Sequence, residues 1–295
     1  MEKTVIAVLG GDKRMDFAAR ELARLGYCIQ EWGRGEEDNG IAFSAIVEDW
    51  LANVDVLMLP LPTSFDGTHL YTPLCKAGEK LRMDTLMSVA SKKLWLVGRL
   101  GESLRLRADS EGIHCIDYFE SEILQLKNAL PTAEGAIEIA MRELPVVLDG
   151  TKAAVIGYGR IGEVLSHKLK LLGAEVCVYA RRQEVCAHAE LLGHTSRNIA
   201  REGGLFFDVD TRVIFNTVPS KLFTRTVLAI LPQDCLIIDL ASAPGGVDMV
   251  AASELGIRCI WATALPGKCA PESAGIILGQ TVHSILLDAY QRSDI

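Results

Sequence analysis

The segment Ala153-Ala154-Val155-Ile156-Gly157-Tyr158-Gly159-Arg160-Ile161-Gly162 carries an apolar strand straight into a glycine-rich turn. Leu165, Leu169 and Leu172 follow at helical spacing, and Gly173 closes the helix they predict. Residues 174–180 then read as a second strand, so the turn sits inside a complete βαβ unit. That context separates it from a G-x-G-x-x-G met by chance. Gly157 permits the tight turn, Gly159 lets backbone approach a pyrophosphate, and Gly162 lets the helix pack close to the strand. The helix predicted to start at Arg160 and Ile161 offers its N-terminus, which suits phosphate. The segment therefore predicts a dinucleotide-binding α/β domain.

The end of the second strand bears on which dinucleotide. A carboxylate about 20 residues past the first glycine would take the ribose 2′-hydroxyl of NAD. The chain has Tyr179-Ala180-Arg181-Arg182 there, with no carboxylate before Glu184. Two guanidiniums beside Ala180 suit a 2′-phosphate, which arginine grips with paired hydrogen bonds. NADP is the expected cofactor. Two further strand ends should border it: Thr217, Val218 and Pro219 close one strand, and Ala241 and Ser242 stand in the small-residue loop that closes the next. Pro266 lies on the loop after the last strand, expected to face a cleft.

Outward from this segment, short apolar runs alternate with amphipathic stretches over the whole chain, the pattern of parallel βαβ units. The fold class expected is α/β: two open parallel-sheet domains linked by long helices. The first is flavodoxin- or Rossmann-like and the second an NAD(P)-binding Rossmann domain. Strands are predicted at 4–9, 27–32, 54–59, 93–98 and 113–118, then at 152–156, 175–180, 212–216, 235–240 and 257–261. These place a first, substrate domain over 1–130, a linking helix over 131–147, the dinucleotide domain over 148–270 and a last helix over 271–295. The sequence leaves open whether that last helix packs back on the first domain.

The chain has 295 residues, enough for two cores, and carries a net charge of −8 with its basic residues scattered. Nucleic-acid binders show a basic face, so no nucleic-acid partner is expected. No apolar run approaches the roughly 20 residues of a membrane span, and the first residues lack a signal-peptide pattern. The expected setting is cytoplasmic, without a membrane. The eight cysteines include no C-x-x-C pair and no zinc spacing, so no metal is expected. The six histidines form no triad.

For the substrate, Gly10-Gly11-Asp12-Lys13-Arg14 joins a strand to a helix. Asp12 is a good N-cap, but Lys13 and Arg14 in the first turn oppose the helix dipole. A bound anion would remove that conflict, so Arg14 is expected to hold a carboxylate. Thr63 and Ser64 could add hydroxyls from the next strand end. Asn128-Ala129-Leu130-Pro131-Thr132-Ala133-Glu134-Gly135 would open the linking helix, turning Thr132 and Glu134 towards a cleft. Glu134 is then the candidate general acid or base, and Lys268 the candidate for a second carboxylate. The substrate class this implies is a small dicarboxylate.

Taken together, 10–14, 130–135, 157–162, 216–220, 239–246 and 265–267 resemble the dipicolinate synthase A-subunit family of bacterial spore formers. They span nearly the whole chain in order. The resemblance implies a family-specific N-terminal domain and a C-terminal NADP-binding domain. It further implies oxidation of dihydrodipicolinate, formed from hydroxytetrahydrodipicolinate, to dipicolinate during sporulation. The flavoprotein-like B-subunit of dipicolinate synthase is the implied partner; a homo-oligomer is left open. The alternative enzyme is a 2-hydroxy-acid or alanine-dehydrogenase-like oxidoreductase, which shares the two-domain plan. Hydroxy-acid enzymes of that plan rely on an arginine after the fourth Rossmann strand and a histidine after the next. Here those places read Ala241-Ser242-Ala243 and Leu265-Pro266-Gly267-Lys268. A non-catalytic NADPH-sensing module is the reading from another class.

Overall fold

The computed structural model describes residues 3–33, 50–75 and 80–291. The chain divides into two units, Met1–Lys127 with Ala270–Ile295, and Asn128–Cys269.

In the first unit, β1 (Val5–Leu9), β2 (Cys28–Trp32), β3 (Val56–Met58), β4 (Leu94–Val97) and β5 (Cys115–Asp117) form a parallel sheet in the order β2-β1-β3-β4-β5. That is the flavodoxin-type doubly wound order. Helices α1 (Lys13–Arg24), α2 (Met83–Ala90) and α3 (Glu102–Ser110) cover the sheet, and α4 (Glu122–Glu143) leads out of it. Alternate residues of β1 point to opposite faces. Ile6 and Val8 pack with Met15 and Leu22 of α1, while Ala7 and Leu9 pack with Leu57, Leu86 and Trp95. Both faces are covered, which is why β1 reads as an unbroken apolar run.

In the second unit, β6 (Lys152–Ile156), α5 (Arg160–Leu171), β7 (Glu175–Ala180), α6 (Gln183–Leu191), β8 (Thr195–Asn198), α7 (Ile199–Glu202), β9 (Val213–Asn216), α8 (Arg225–Leu228), β10 (Leu236–Asp239), α9 (Met249–Glu254), β11 (Arg258–Trp261) and α10 (Leu265–Cys269) follow in turn. The parallel sheet runs β11-β10-β9-β6-β7-β8. Connections reverse direction at β6, so the glycine turn that follows it lies at the topological switch point, where ligands bind in open α/β sheets.

Two features depart from the sequence expectations, and a third settles a point they left open. The edge strand β8 is absent from them: its Thr-Ser-Arg-Asn sequence is polar because it pairs only with β7, at the sheet edge. The helix expected to open near Pro131 begins instead at Glu122, and Pro131 lies inside it. Proline favours the first turn of a helix, but buried Leu124 and Ala129 anchor the turns before it. The last helix, α11 (Pro271–Gln291), belongs to the first unit. Leu278, Val282 and Leu286 join the core built on Ile6 and Val8. A Cβ on Gly275 would lie 2.4 Å from the Arg14 carbonyl oxygen, and one on Gly279 3.0 Å from that of Ala18. Two missing side chains one turn apart thus let α11 lie against the backbone of α1. Among the described residues no helix is long and apolar enough to cross a membrane.

Candidate cofactor site

The site begins where β6 ends. In one register row across the carboxyl edge of the sheet, Ile156 pairs with Tyr179 on one side and Asn216 on the other, and Asn216 with Asp239. The Gly157 N–H donates to the Tyr179 carbonyl at 2.9 Å. Both the N–H and the hydroxyl of Thr217 donate to the Ile156 carbonyl, at 2.9 and 2.8 Å. Tyr158 is half-buried, with its ring edge-on to His188 and His194 at 5.9 and 6.1 Å. Burial raises the Tyr158 phenol above its ordinary pKa and lowers that of His194.

The three glycines answer to different demands. Gly157 has φ +92°, and a Cβ there would lie 2.4 Å from the Thr217 hydroxyl. A Cβ on Gly162 would lie 2.1 Å from the Gly157 carbonyl oxygen. Both are glycine because the protein's own atoms require it. Gly159 is different: its φ is −98°, open to any residue, and a Cβ there would meet nothing within 4 Å. It is also the N-cap of α5 and makes no side-chain cap bond. An exposed turn with clear space over it, at a helix start lacking a side-chain cap, fits the pyrophosphate of a dinucleotide. Ile161 leans into the core beneath the turn, and Arg160 is exposed.

At the end of β7, Ala180 is buried and Arg181 and Arg182 are exposed. Arg182 lies 3.4 Å from Glu184 through Nη1, whereas Arg181 forms no ion pair among the described residues. Beyond β9, Val218 is half-buried and Pro219 exposed; beyond β10, Ala241 is buried and Ser242 exposed. Pro266 is half-buried in α10. The fold thus brings Gly157, Thr217 and Val218 into contact at one strand end. Arg181 and Arg182 stand at the neighbouring strand end.

The residues expected to hold substrate are placed differently. Arg14 is 8% exposed; its Nε and Nη2 donate to Asp12, at 2.8–3.2 Å, and Nη2 also donates to the Leu61 carbonyl at 2.7 Å. Burial opposes its charge, but the hydrogen bond to Asp12 and that carboxylate's charge outweigh it and raise its pKa. The expected conflict in the first turn is therefore settled by the N-cap itself, and nothing there calls for a bound anion. Thr63 is fully buried, its hydroxyl donating to the Pro60 or Gly98 carbonyl and accepting from the Gly98 N–H. Ser64 bonds Asp66 and the Gly67 N–H within its own loop. Thr132 donates back to the Asn128 carbonyl at 2.7 Å. Glu134, being in mid-helix rather than at a helix start, sits exposed against Lys168 at 2.9 Å. Lys268 is exposed on α10.

Sequence reasoning missed the roles of Asn216 and Asp239, although it marked their loops. Asn216 Nδ2 donates to Asp239 Oδ1 at 2.8 Å and to the Val218 carbonyl at 3.0 Å, and Asn216 Oδ1 accepts from the Val218 N–H. Asp239 also accepts from the N–H groups of Ala241 and Gly246, at 3.1 and 2.8 Å. Both side chains are at most 1% exposed. The available signal was a polar residue ending each of two apolar strands, Phe215-Asn216 and Ile238-Asp239.

Known proteins share this architecture and, in part, this sequence. Residues 5–119 match the family model described as the N-terminal domain of the dipicolinate synthase A-subunit. The chain is 29% identical over 286 residues to the dipicolinate synthase A-subunit of Bacillus subtilis, spanning 96% of each protein. The crystal structure of the dipicolinate synthase A-subunit from Bacillus halodurans superposes with a TM-score of 0.85 at 26% identity, covering 96% of this chain and 97% of that one. That of the Bacillus subtilis protein gives 0.82 at 26% identity, covering 99% and 98%. From its N-terminal sheet through its glycine turn to its last helix, the chain is similar to the dipicolinate synthase A-subunits, and the family model for their N-terminal domain matches its residues 5–119.

Proposed function

We propose that the second unit binds NADP(H) and that the protein oxidises dihydrodipicolinate, formed from hydroxytetrahydrodipicolinate, to dipicolinate during sporulation. The backbone of Gly157, Gly159, Arg160 and Ile161 would hold the pyrophosphate, and Arg181 with Arg182 the 2′-phosphate. Thr217, Val218, Pro219, Ala241, Ser242 and Pro266 would border the nicotinamide half. The oxidised nicotinamide supplies a hydride acceptor, so the dihydropyridine gives up one hydride and one proton and its ring becomes aromatic. The observation that carries this reading is Gly159, a glycine the polypeptide itself does not require, set before a helix start with no side-chain cap. The name of the Bacillus subtilis relative supports the reaction. Lys268, exposed and basic, is the residue we assign to a carboxylate of the substrate.

The flavoprotein-like B-subunit is the partner proposed for the reaction. The test is purified protein with enzymatically made hydroxytetrahydrodipicolinate and NADP⁺, with and without that partner, followed by the appearance of dipicolinate. Formation of dipicolinate together with NADPH supports the proposal. NADPH binding without turnover in either arrangement would assign the chain a nucleotide-sensing role instead.

A further inference from the structure

Resting on the cofactor reading above, we infer that Asn216 and Asp239 form a buried clasp that positions the two loops for the nicotinamide half of the cofactor. The strand order gives the direction. β6 carries the pyrophosphate turn, β7 carries the arginines assigned to the adenosine side, and β9 and β10 lie on the other side of β6. The remaining half of a dinucleotide therefore extends over the ends of β9 and β10. Those ends lead into 217–219 and 241–246, and the clasp ties both down.

Its chemistry is specific. Asp239 faces three donors: the Asn216 amide, the Ala241 N–H and the Gly246 N–H. Only a side chain that accepts at both ends meets all three. Asn216 faces one acceptor at Asp239, plus the carbonyl and N–H of Val218, and a side-chain amide supplies the two donors and one acceptor that these call for. The loop around Gly246 is drawn in so far that a Cβ on it would lie 2.1 Å from Asn216 Nδ2 and 2.8 Å from the Val218 carbonyl oxygen. Side chains this buried have few alternative partners, so the two loops are held in one arrangement before any ligand arrives. Neither residue need touch the cofactor; they act through the backbone of Val218, Ala241 and Gly246.

The test is Asp239→Asn, nearly isosteric, which turns one accepting oxygen into a donor against donors. Two probes are titrated against it and the wild type: NADPH, and adenosine 2′,5′-bisphosphate, which carries only the adenine side. The clasp predicts that NADPH weakens by about tenfold or more, as expected for a lost buried hydrogen bond, while the bisphosphate binds as before. Circular dichroism melting checks the fold. Should Asp239→Asn not fold, Asn216→Ser takes away the Asn216 amide's bonds to Asp239 and Val218 without adding bulk and is expected to give the same split. Equal weakening of both probes, no weakening of either, or failure of both variants to fold overturns the inference. A wild-type protein that binds neither probe overturns instead the cofactor reading beneath it.

Discussion

The two units end their central strands in similar ways, yet the two carboxyl rims have opposite chemistry. In the first, the Gly11 N–H reaches the Tyr71 carbonyl, the Tyr71 N–H the Thr63 carbonyl, and the Thr63 N–H the Gly98 carbonyl. The Tyr118 hydroxyl donates to the Leu59 carbonyl at 2.8 Å, and Arg14 closes the set on Asp12 and Leu61. The polar groups of that rim are met by other parts of the same rim. The second rim is held just as firmly at its base, by Thr217, Asn216 and Asp239, but above that base it is open at Gly159 and Arg181. A strand–glycine–helix junction is therefore not by itself a site. What distinguishes the two is whether the protein's own atoms already fill the space over the junction: a Cβ on Gly11 would lie 2.4 Å from Met15 Cγ, and one on Gly159 would meet nothing within 4 Å.

The sharpest way to break this contrast lies within the glycine turn. Gly162→Ala drives a Cβ into the Gly157 carbonyl and should destabilise the second unit by about 3 kcal/mol, the upper range for overpacking. Gly159→Val adds more bulk but should leave the urea midpoint nearly unchanged while NADPH binding falls below detection. If both substitutions unfold the protein, or if Gly159→Val binds NADPH like wild type, the space over Gly159 has no bearing on the cofactor.

Arg14→Ala tests the closed rim. It removes the partner of Asp12 and leaves the Leu61 carbonyl without its donor. The expected cost is about 2 kcal/mol, short of the roughly 3–5 kcal/mol for a fully buried pair because Asp12 keeps 23% exposure. Affinity for NADPH should not change. A variant as stable as wild type that loses substrate affinity would return Arg14 to the substrate.

Arg181→Ala combined with Arg182→Ala sharpens the open rim. NADPH should weaken by about tenfold, or 1.4 kcal/mol, and NADH hardly at all, giving equal affinities for the two. Calorimetric titration of the wild type with both nucleotides is the first check. If it shows no preference, the exposed pair does not read the 2′-phosphate.

The smallest effect belongs to Glu134→Gln. An exposed ion pair such as Glu134–Lys168 contributes about 0–1 kcal/mol. Both the melting temperature and the rate of dipicolinate formation should stay near wild type. A large fall in rate with an unchanged melting temperature would restore Glu134 as a general acid or base.

The sequence by itself determined the two parallel sheets, the glycine turn and the pair of arginines after the second strand. These depend on residues within a few positions of each other: apolar runs of strand length, and glycines whose spacing suits one turn and one helix start. Tertiary structure decided the rest, because it depends on partners far apart in the chain. Arg14 looks like an anion site until Leu61, 47 residues on, offers its carbonyl. Asn216 and Asp239 look like ordinary strand ends until parallel pairing sets them side by side across 23 residues. Helix α4 runs through Pro131 because Leu124 and Ala129 are buried on the near side of it. The same folding that joined the polar groups of the first rim to one another left clear space over Gly159 and an exposed Arg181 at the second, and only the assembled packing could distinguish them.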